Sequence, residues 1–175
     1  MVGLYLVPAS RENIKKSIIN DVDISIAEKF LPAFDCNKLK ELLGSEKRFY
    51  CWAMTEASRS KFEKMEKGDI ALFVESGTGL FKFQAEILFT SESKEMGNYV
   101  WAYTPYDAWK LIYFLKDVKE INIGKKALVM ALGYKSNFEV PGVIRIKDEF
   151  LQNVIEKYGS IQTFLDTLTN IDIHS

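Results

Sequence analysis

Two apolar segments joined by a four-residue glycine turn constrain the fold of this chain more than any other feature. Residues 69–75 (DIALFVE) and 80–89 (LFKFQAEILF) flank the sequence SGTG at 76–79. In the second segment apolar side chains alternate with Lys, Gln and Glu, which is the period of a strand with one buried face. The spacing therefore predicts a β-hairpin. The turn also resembles the start of a dinucleotide-binding fingerprint, but the third glycine is missing, so a hairpin turn is the better interpretation.

Shorter apolar and amphipathic segments surround this hairpin on both sides. Further strands are predicted at 3–7 (ended by Pro8), 48–54, 111–115, 118–123 and 143–146. Helices are predicted at 11–19 (after the N-cap Ser10), 37–43 (before Gly44), 55–65, 127–132 (before Gly133) and 147–168 (with a break at Gly159). Residues 99–106 are predicted to be an aromatic loop or the end of a strand. The expected fold is α+β, with a small mixed β-sheet or partly open barrel flanked by helices, in a single domain over residues 1–175.

The chain is poor in the side chains that most catalytic sites need. It has one histidine, His174, and two cysteines, Cys36 and Cys51. These numbers exclude most zinc sites and Ser-His-Asp triads, and no phosphate-binding loop or nucleophile elbow occurs in the sequence. We therefore predict no catalytic residue, no metal ligand and no cofactor. The sparse cysteines and the lack of a long apolar segment predict a cytoplasmic protein with no membrane partner, although one disulfide stays possible.

Aromatic side chains, in contrast, are abundant: the chain has 12 Phe, 8 Tyr and 3 Trp. Trp52 lies where a predicted strand passes into a helix, and Trp101 lies in the Tyr- and Pro-rich segment at 99–106. Trp109 precedes a buried strand and is assigned to the core. Aromatic side chains in a loop can line a cage that stacks on a flat base or surrounds a methylated cation.

Four segments in this order resemble the YTH and EVE domains of the PUA-like superfamily. They are VPASRENIKKSI, YCWAMT, GDIALFVESGTGLFKFQAEI and YVWAYTPYDAWKLIYFLKDV, which together extend over about residues 3–123. YTH domains bind N6-methyladenine in RNA, and related modules at the N-termini of McrB-type restriction GTPases bind modified DNA bases. The resemblance implies the same fold and a module at the N-terminus of a longer restriction protein.

The resemblance also implies three walls of an aromatic cage. The family's first cage tryptophan follows a strand in a W-x-x-T segment, which Trp52 matches in WAMT. The second cage tryptophan precedes a segment that ends in a strand like LIYFLKDV, and Trp101 matches that position. The third wall is an aromatic side chain or leucine about five residues later. Tyr106 has that spacing, and Tyr103 is the competing residue.

Recognition of the base edge is implied for two further residues. Family members place Asn or Asp in the first helix, where it hydrogen-bonds the ring edge, and Asn13 in SRENI occupies that position. An amide can both donate to and accept from an adenine edge. The backbone of Ala53 is implied to contact the methylamino group. An extra segment at about 20–46 separates Asn13 from Trp52.

Charge restricts where nucleic acid could bind. With 23 Lys+Arg, 24 Asp+Glu and a net charge of −1, any phosphate-binding surface has to be a local patch. Basic side chains near the predicted cage segments, together with one in the C-terminal part, are candidates for phosphate binding: Lys15, Lys16, Arg59, Lys61, Lys82 and Lys135.

The leading hypothesis is a DNA-binding module that flips a modified base, N6-methyladenine, into the cage and so targets a modification-dependent restriction complex. The expected partners are modified nucleic acid, DNA in preference to RNA, and the motor and nuclease parts of such a complex. Two alternatives keep the fold: a reader of N6-methyladenosine in RNA and a reader of 5-methylcytosine-type bases in DNA. Two others change the class: a nucleic-acid-processing enzyme, and a protein-interaction domain whose tryptophans are all core.

Overall fold

The computed structural model describes residues 1–101 and 108–174 of the chain. The fold is α+β, as the sequence predicts. The strands are β1 (Leu4–Ala9), β2 (Val22–Asp23), β3 (Arg48–Met54), β4 (Ile70–Glu75), β5 (Leu80–Glu92), β6 (Leu111–Gly124) and β7 (Ile144–Arg145). The helices are α1 (Arg11–Ile14), α2 (Ile24–Phe30), α3 (Ala33–Leu43), α4 (Arg59–Phe62), α5 (Lys94–Trp101), α6 (Lys125–Leu132), α7 (Asp148–Tyr158) and α8 (Ile161–His174). A π-helical segment (Lys15–Ile19) continues α1, and a 3₁₀ turn (Glu56–Ser58) precedes α4.

The strands form one mixed sheet in the order β2-β3-β6-β5-β4-β1-β7. Strands β1 and β4 are parallel, whereas β3 and β6 are antiparallel and place Trp52 opposite Tyr113. Short antiparallel pairings attach β2 to β3 and β7 to β1. Within the described ranges the sheet does not close on itself, so of the two predicted arrangements the open mixed sheet is observed.

Pro8 does not end the first strand, contrary to the sequence-based expectation. Strand β1 continues to Ala9, and Pro8 lies opposite Val74. Proline cannot donate a hydrogen bond to a ladder. However, β7 pairs only with Tyr5 and Leu6, so the β7 side of β1 carries no strand at Pro8 in the described part of the chain. A missing donor is tolerated at such an open edge.

The chain packs into two compact units, each discontinuous in sequence. The first unit comprises residues 1–9, 70–85 and those from 119 onward. In it the β-sheet packs against α6, α7 and α8 around a core of buried aliphatic and aromatic side chains, among them Leu4, Leu72, Phe81, Leu128, Leu151 and Phe164. The hairpin turn at 76–79 belongs to this unit, between β4 and β5, as predicted.

The second unit comprises residues 10–69 and 86–118. Its core is formed by one face of β3 and β6 together with α2, α3 and α5, and includes Ala27, Leu39, Phe49, Cys51, Met96, Ile112 and Phe114. Phe49 and Phe114 pack edge to face, with ring centroids 5.1 Å apart. Both cysteines are buried and free, so the possible disulfide is not formed. The predicted base-binding residues that the structure describes all lie in this unit: Asn13, Trp52, Ala53 and Trp101.

Several predicted elements have different bounds or a different type. Helix α3 begins at Ala33 and not at Asn37, and the segment after Thr55 forms a 3₁₀ turn and a single helical turn, not one continuous helix. Residues 99–101, expected in a loop or strand end, close helix α5. The helical break at Gly159 and the bounds of β3 are confirmed. No helix in the described ranges is long and apolar enough to cross a bilayer.

Candidate functional site

All three tryptophans of the chain meet in the second unit. The ring centroids of Trp52 and Trp101 are 6.3 Å apart at an interplanar angle of 70°, and those of Trp52 and Trp109 are 6.4 Å apart at 83°. Trp52 thus makes two edge-to-face contacts, an arrangement that aromatic pairs favour. We refer to these three residues as the tryptophan cluster. The structure therefore brings together Trp52 and Trp101, which the sequence resemblance assigns to one site.

The three tryptophans differ in exposure. Trp52 is 1% exposed and Trp101 is 5% exposed, whereas Trp109 is only half-buried. Trp109, assigned from the sequence to the core, packs against that core but keeps part of its surface accessible. Because Trp52 and Trp101 touch edge to face, no base can lie between their rings unless one of them turns. The proposed third walls, Tyr103 and Tyr106, lie outside the described residues.

Backbone packing fixes Trp109 beside helix α5. Gly97 lies in that helix, and a β-carbon at this position would overlap the carbonyl group of Trp109. The backbone N–H of Ser93 donates to the carbonyl oxygen of Lys110 at 2.9 Å. Glycine at position 97 thus permits the close approach that holds α5 against the segment preceding β6.

The first helix brings Asn13 to the same part of the unit. Ser10 caps α1 by accepting a hydrogen bond from the backbone N–H of Asn13, as predicted. The π-helical segment that follows packs against β3 and α5, which carry Trp52 and Trp101. Asn13 is partly exposed, and its side-chain amide makes no hydrogen bond within the described residues. It is available to a ligand, and its role in reading a base stays a prediction.

Four buried polar atoms of this unit have no hydrogen-bond partner among the described residues: Ser17 Oγ, Asn98 Oδ1, Trp101 Nε1 and Tyr113 OH. They lie on the π-helical segment, on α5 and on β6. Tyr113 faces Trp52 across the β3–β6 pair, so the two side chains share one face of the sheet. Unpartnered buried polar atoms are uncommon in native proteins, and each requires an explanation.

Strand β2 covers only the first part of one edge of β3. Strand β2 pairs only with Arg48 and Phe49 of β3, so further along the strand that edge has no strand partner within the described ranges. Ala53 is buried and pairs with Ile112 on the opposite edge. This edge could offer backbone groups to a ligand, as the resemblance implies for Ala53.

Among the predicted phosphate-binding residues, Arg59 is occupied by carboxylates. Its guanidinium contacts Glu56 at 2.6 and 2.7 Å and Glu92 at 2.9 Å. Hydrogen bonds from Arg59 and then from Lys110 lower the pKa of the Glu56 carboxyl to about 2. The same contacts raise the pKa of Arg59. Because the carboxylates already occupy the guanidinium, they disfavour a phosphate contact by Arg59. The network includes Lys110 and so lies beside Trp109.

The remaining predicted phosphate-binding lysines belong to different units. Lys15, Lys16 and Lys61 lie in the second unit with the tryptophan cluster, whereas Lys82 and Lys135 lie in the first. Lys16 forms an ion pair with Glu12 at 3.5 Å, and Lys15 is exposed. Within the part of the chain that the structure describes, no group of three or more His, Cys, Asp and Glu side chains is arranged to hold a metal ion.

Comparison of the sequence with known protein families and with characterised proteins finds no match. Comparison with solved structures does. The N-terminal domain of Thermococcus gammatolerans McrB, bound to m5C DNA, matches with a TM-score of 0.65 and 16% identity over 89% of this chain and 96% of that domain. At this identity the likeness shows the fold alone, and it confirms the expectation that this chain folds like the N-terminal domain of McrB-type proteins.

Two further structures are similar at lower TM-scores. Human THYN1, in complex with DNA containing 5-methylcytosine, matches with a TM-score of 0.48 and 14% identity over 89% of this chain and 96% of that chain. The YTH domain of Zygosaccharomyces rouxii MRB1, in complex with N6-methyladenosine RNA, matches with a TM-score of 0.46 and 13% identity over 89% of this chain and 86% of that chain.

Proposed function

We propose that this chain binds nucleic acid, DNA in preference to RNA, and takes up one modified base, flipped out of its strand, at the tryptophan cluster. The observation that carries the proposal is the meeting of all three tryptophans with buried polar groups that have no hydrogen-bond partner among the described residues. Aromatic faces hold any base by stacking, and unpaired donors and acceptors identify its edge. The binding site needs no catalytic group, which agrees with the shortage of histidine and cysteine in the sequence.

Uptake of a base requires the tryptophan cluster to open. In the structure Trp52 and Trp101 touch edge to face, whereas a bound base stacks face to face with a wall. We therefore propose that a tryptophan ring turns when the base enters. Each base–aromatic stack contributes about 1–3 kcal/mol, which offsets a flipping cost of a few kcal/mol.

The choice of modified base rests on both the methyl group and the polar edge. Burial of one methyl group contributes about 0.8 kcal/mol, which is less than a tenfold preference. Asn13 and the backbone at Ala53 are proposed to read the edge, and Lys15 and Lys16 to contact phosphates. N6-methyladenine in DNA is the first candidate ligand, with a role in targeting the motor and nuclease of a restriction complex.

5-Methylcytosine in DNA is the second candidate ligand. The structurally similar McrB domain is bound to m5C DNA, so this base belongs in any test of specificity. A cytosine ring is smaller than an adenine ring and would leave more of the cage unfilled. The two candidates are therefore expected to differ in affinity for one and the same site.

Binding to a panel of duplexes tests the proposal. We expect the protein to bind a duplex with either N6-methyladenine or 5-methylcytosine about fourfold more tightly than the unmodified duplex at fixed salt. Trp52→Ala and Trp101→Ala should abolish that preference, because each removes a stacking surface.

Phe34→Ala is the matched control, since Phe34 is 78% exposed and lies outside the tryptophan cluster. This variant should keep the preference of the wild-type protein. Circular dichroism establishes whether the tryptophan variants remain folded. Equal affinity of the wild-type protein for all duplexes would contradict the proposed function, and loss of folding in both tryptophan variants would favour a core role for these residues.

A further inference from the structure

We propose that the hydroxyl groups of Ser17 and Tyr113 form hydrogen bonds to the polar edge of the bound base and so determine which base is accepted. This inference rests on the proposed function and adds two specificity-determining residues to the site. Both residues lie within segments that carry the family resemblance, but the sequence assigns no role to either of them. The evidence is their burial, their missing partners and their position beside the tryptophan cluster.

Both hydroxyl groups are fully buried without a partner. Ser17 and Tyr113 are each 0% exposed, and neither hydroxyl makes a hydrogen bond within the described residues. A serine within a helix either points to solvent or hydrogen-bonds the backbone carbonyl four residues earlier. Ser17 does neither, and it lies in a π-helical segment, a conformation that is frequent at functional sites.

Both residues lie on elements that form the site. The π-helical segment of Ser17 packs against the strand of Trp52 and the helix of Trp101. Tyr113 lies directly opposite Trp52 in the neighbouring strand. Ser17 follows Asn13 by four residues, so the two lie on about the same helix face, with Asn13 partly exposed and Ser17 buried. Asn13 can contact the base at the entrance, and Ser17 at the floor.

The chemistry of the two groups suits a base edge. Each hydroxyl can donate one hydrogen bond and accept others, and it rotates to match its partner. The edges of adenine and cytosine each present an amino donor beside a ring-nitrogen acceptor. A base that satisfies both hydroxyl groups is favoured over one that leaves either of them buried and unpaired.

Two conservative variants test this inference: Ser17→Ala and Tyr113→Phe each remove one hydroxyl and keep the remaining shape. Each should lower the affinity for the preferred modified duplex about 3- to 10-fold. Neither substitution should lower the Tm. Each removes a buried hydroxyl that has no hydrogen-bond partner among the described residues, so no stabilising contact is lost. Thermal unfolding and duplex binding of the same samples measure both effects.

Matched controls remove hydroxyl groups that do have protein partners. The Ser91 hydroxyl hydrogen-bonds Asp35 at 2.6 Å, and that of Tyr134 accepts from the backbone N–H of Lys147 at 3.4 Å. Ser91→Ala and Tyr134→Phe should lower the Tm and leave the affinity unchanged.

Variants at Ser17 and Tyr113 that bind like the wild-type protein would overturn this inference, while the proposed function would stand on the preference of the wild-type protein. A wild-type protein without any preference for a modified duplex would overturn both.

Discussion

At the scale of single residues, Gly97 has the most restrictive environment in the candidate site. A methyl group there would overlap the carbonyl of Trp109, so Gly97→Ala has to push helix α5 away from the segment preceding β6. We expect the free energy of unfolding to fall by about 1–3 kcal/mol, measured by chemical denaturation. Because Trp101 lies in the same helix, the fluorescence of the tryptophan cluster should change as well.

Gly142→Ala is the control for this prediction. A β-carbon at Gly142 would meet no heavy atom within 4 Å. This variant should therefore change the unfolding free energy by no more than about 0.5 kcal/mol. If the two variants were equally stable, the close approach of α5 to Trp109 would not be important for stability.

At the residue scale, the Ser10 cap of α1 could be predicted because one residue type carries the signal. The family resemblance assigned Trp52 and Trp101 to one site, and their rings are in contact, while their role in binding a base stays a prediction. The sequence did not indicate that Trp109 contacts Trp52. Trp109 directly precedes the apolar strand predicted at 111–115, and this position suggested a place in the core. Ser17 and Tyr113 were missed for a different reason: a missing hydrogen-bond partner depends on all surrounding elements and has no sequence signal.

At the scale of elements, an ion-pair network ties the 3₁₀ turn at 56–58 to the end of β5 and the start of β6. Arg59 contacts Glu56 and Glu92, and Lys110 contacts Glu56 at 3.0 Å and Glu92 at 3.5 Å. These side chains are all partly exposed, so solvent screens each pair and the individual contributions are small. Their combined effect is to hold Lys110, and with it the backbone of Trp109, at one place.

The network predicts a pH dependence of stability. The pKa of Glu56 is lowered from 4.5 to about 2 in the folded protein. A depressed carboxyl pKa stabilises the fold above the unfolded-state pKa, and this stabilisation is lost as the pH falls from about 4.5 to about 2. Glu56→Gln should therefore have a lower Tm than the wild-type protein at pH 7, and the difference should shrink towards zero near pH 2.

Glu63→Gln serves as the control for this pH profile, because its carboxylate is 4.0 Å from Arg59 and exposed. It should follow the wild-type profile closely. A Tm difference between wild type and Glu56→Gln that stayed constant from pH 7 to pH 2 would show that the ionised carboxylate of Glu56 does not stabilise the fold.

Element types were predictable where the spacing of apolar residues is regular. Alternation over residues 80–89 specified β5, and Gly159 marked the break between α7 and α8. The π-helical form of Lys15–Ile19 was not predictable, because the buried residues Ile14 and Ile18 fit an α-helix equally well. Residues 99–101 have aromatic and β-branched side chains that favour strands, but they continue helix α5, in which Gly97 packs against the carbonyl group of Trp109.

At the scale of the whole molecule, a net charge of −1 limits how strongly the chain can attract phosphate groups. Nonspecific affinity for nucleic acid depends mainly on the number of phosphates that lysine and arginine neutralise. In the unit that contains the tryptophan cluster, Arg59 is held by carboxylates, which leaves Lys15, Lys16 and Lys61 of the predicted residues. Of these, the two on the first helical segment, beside Asn13, are the proposed contacts. The base-binding site then has to supply most of the specificity.

This charge distribution predicts a weak dependence of binding on salt. Each neutralised phosphate contributes about −0.9 to the slope of log K against log salt concentration, so two contacts give a slope of about −2. Lys15→Ala and Lys16→Ala should each reduce the magnitude of that slope by about 1 and weaken modified and unmodified duplexes equally. Titrations at four salt concentrations measure the slope.

Lys40→Ala is the control, because Lys40 lies on α3, which carries none of the predicted site residues, and pairs with Glu28 at 3.2 Å. A wild-type slope several times steeper would mean that a more extensive basic surface contacts the duplex, and binding would then depend on phosphates more than on the base.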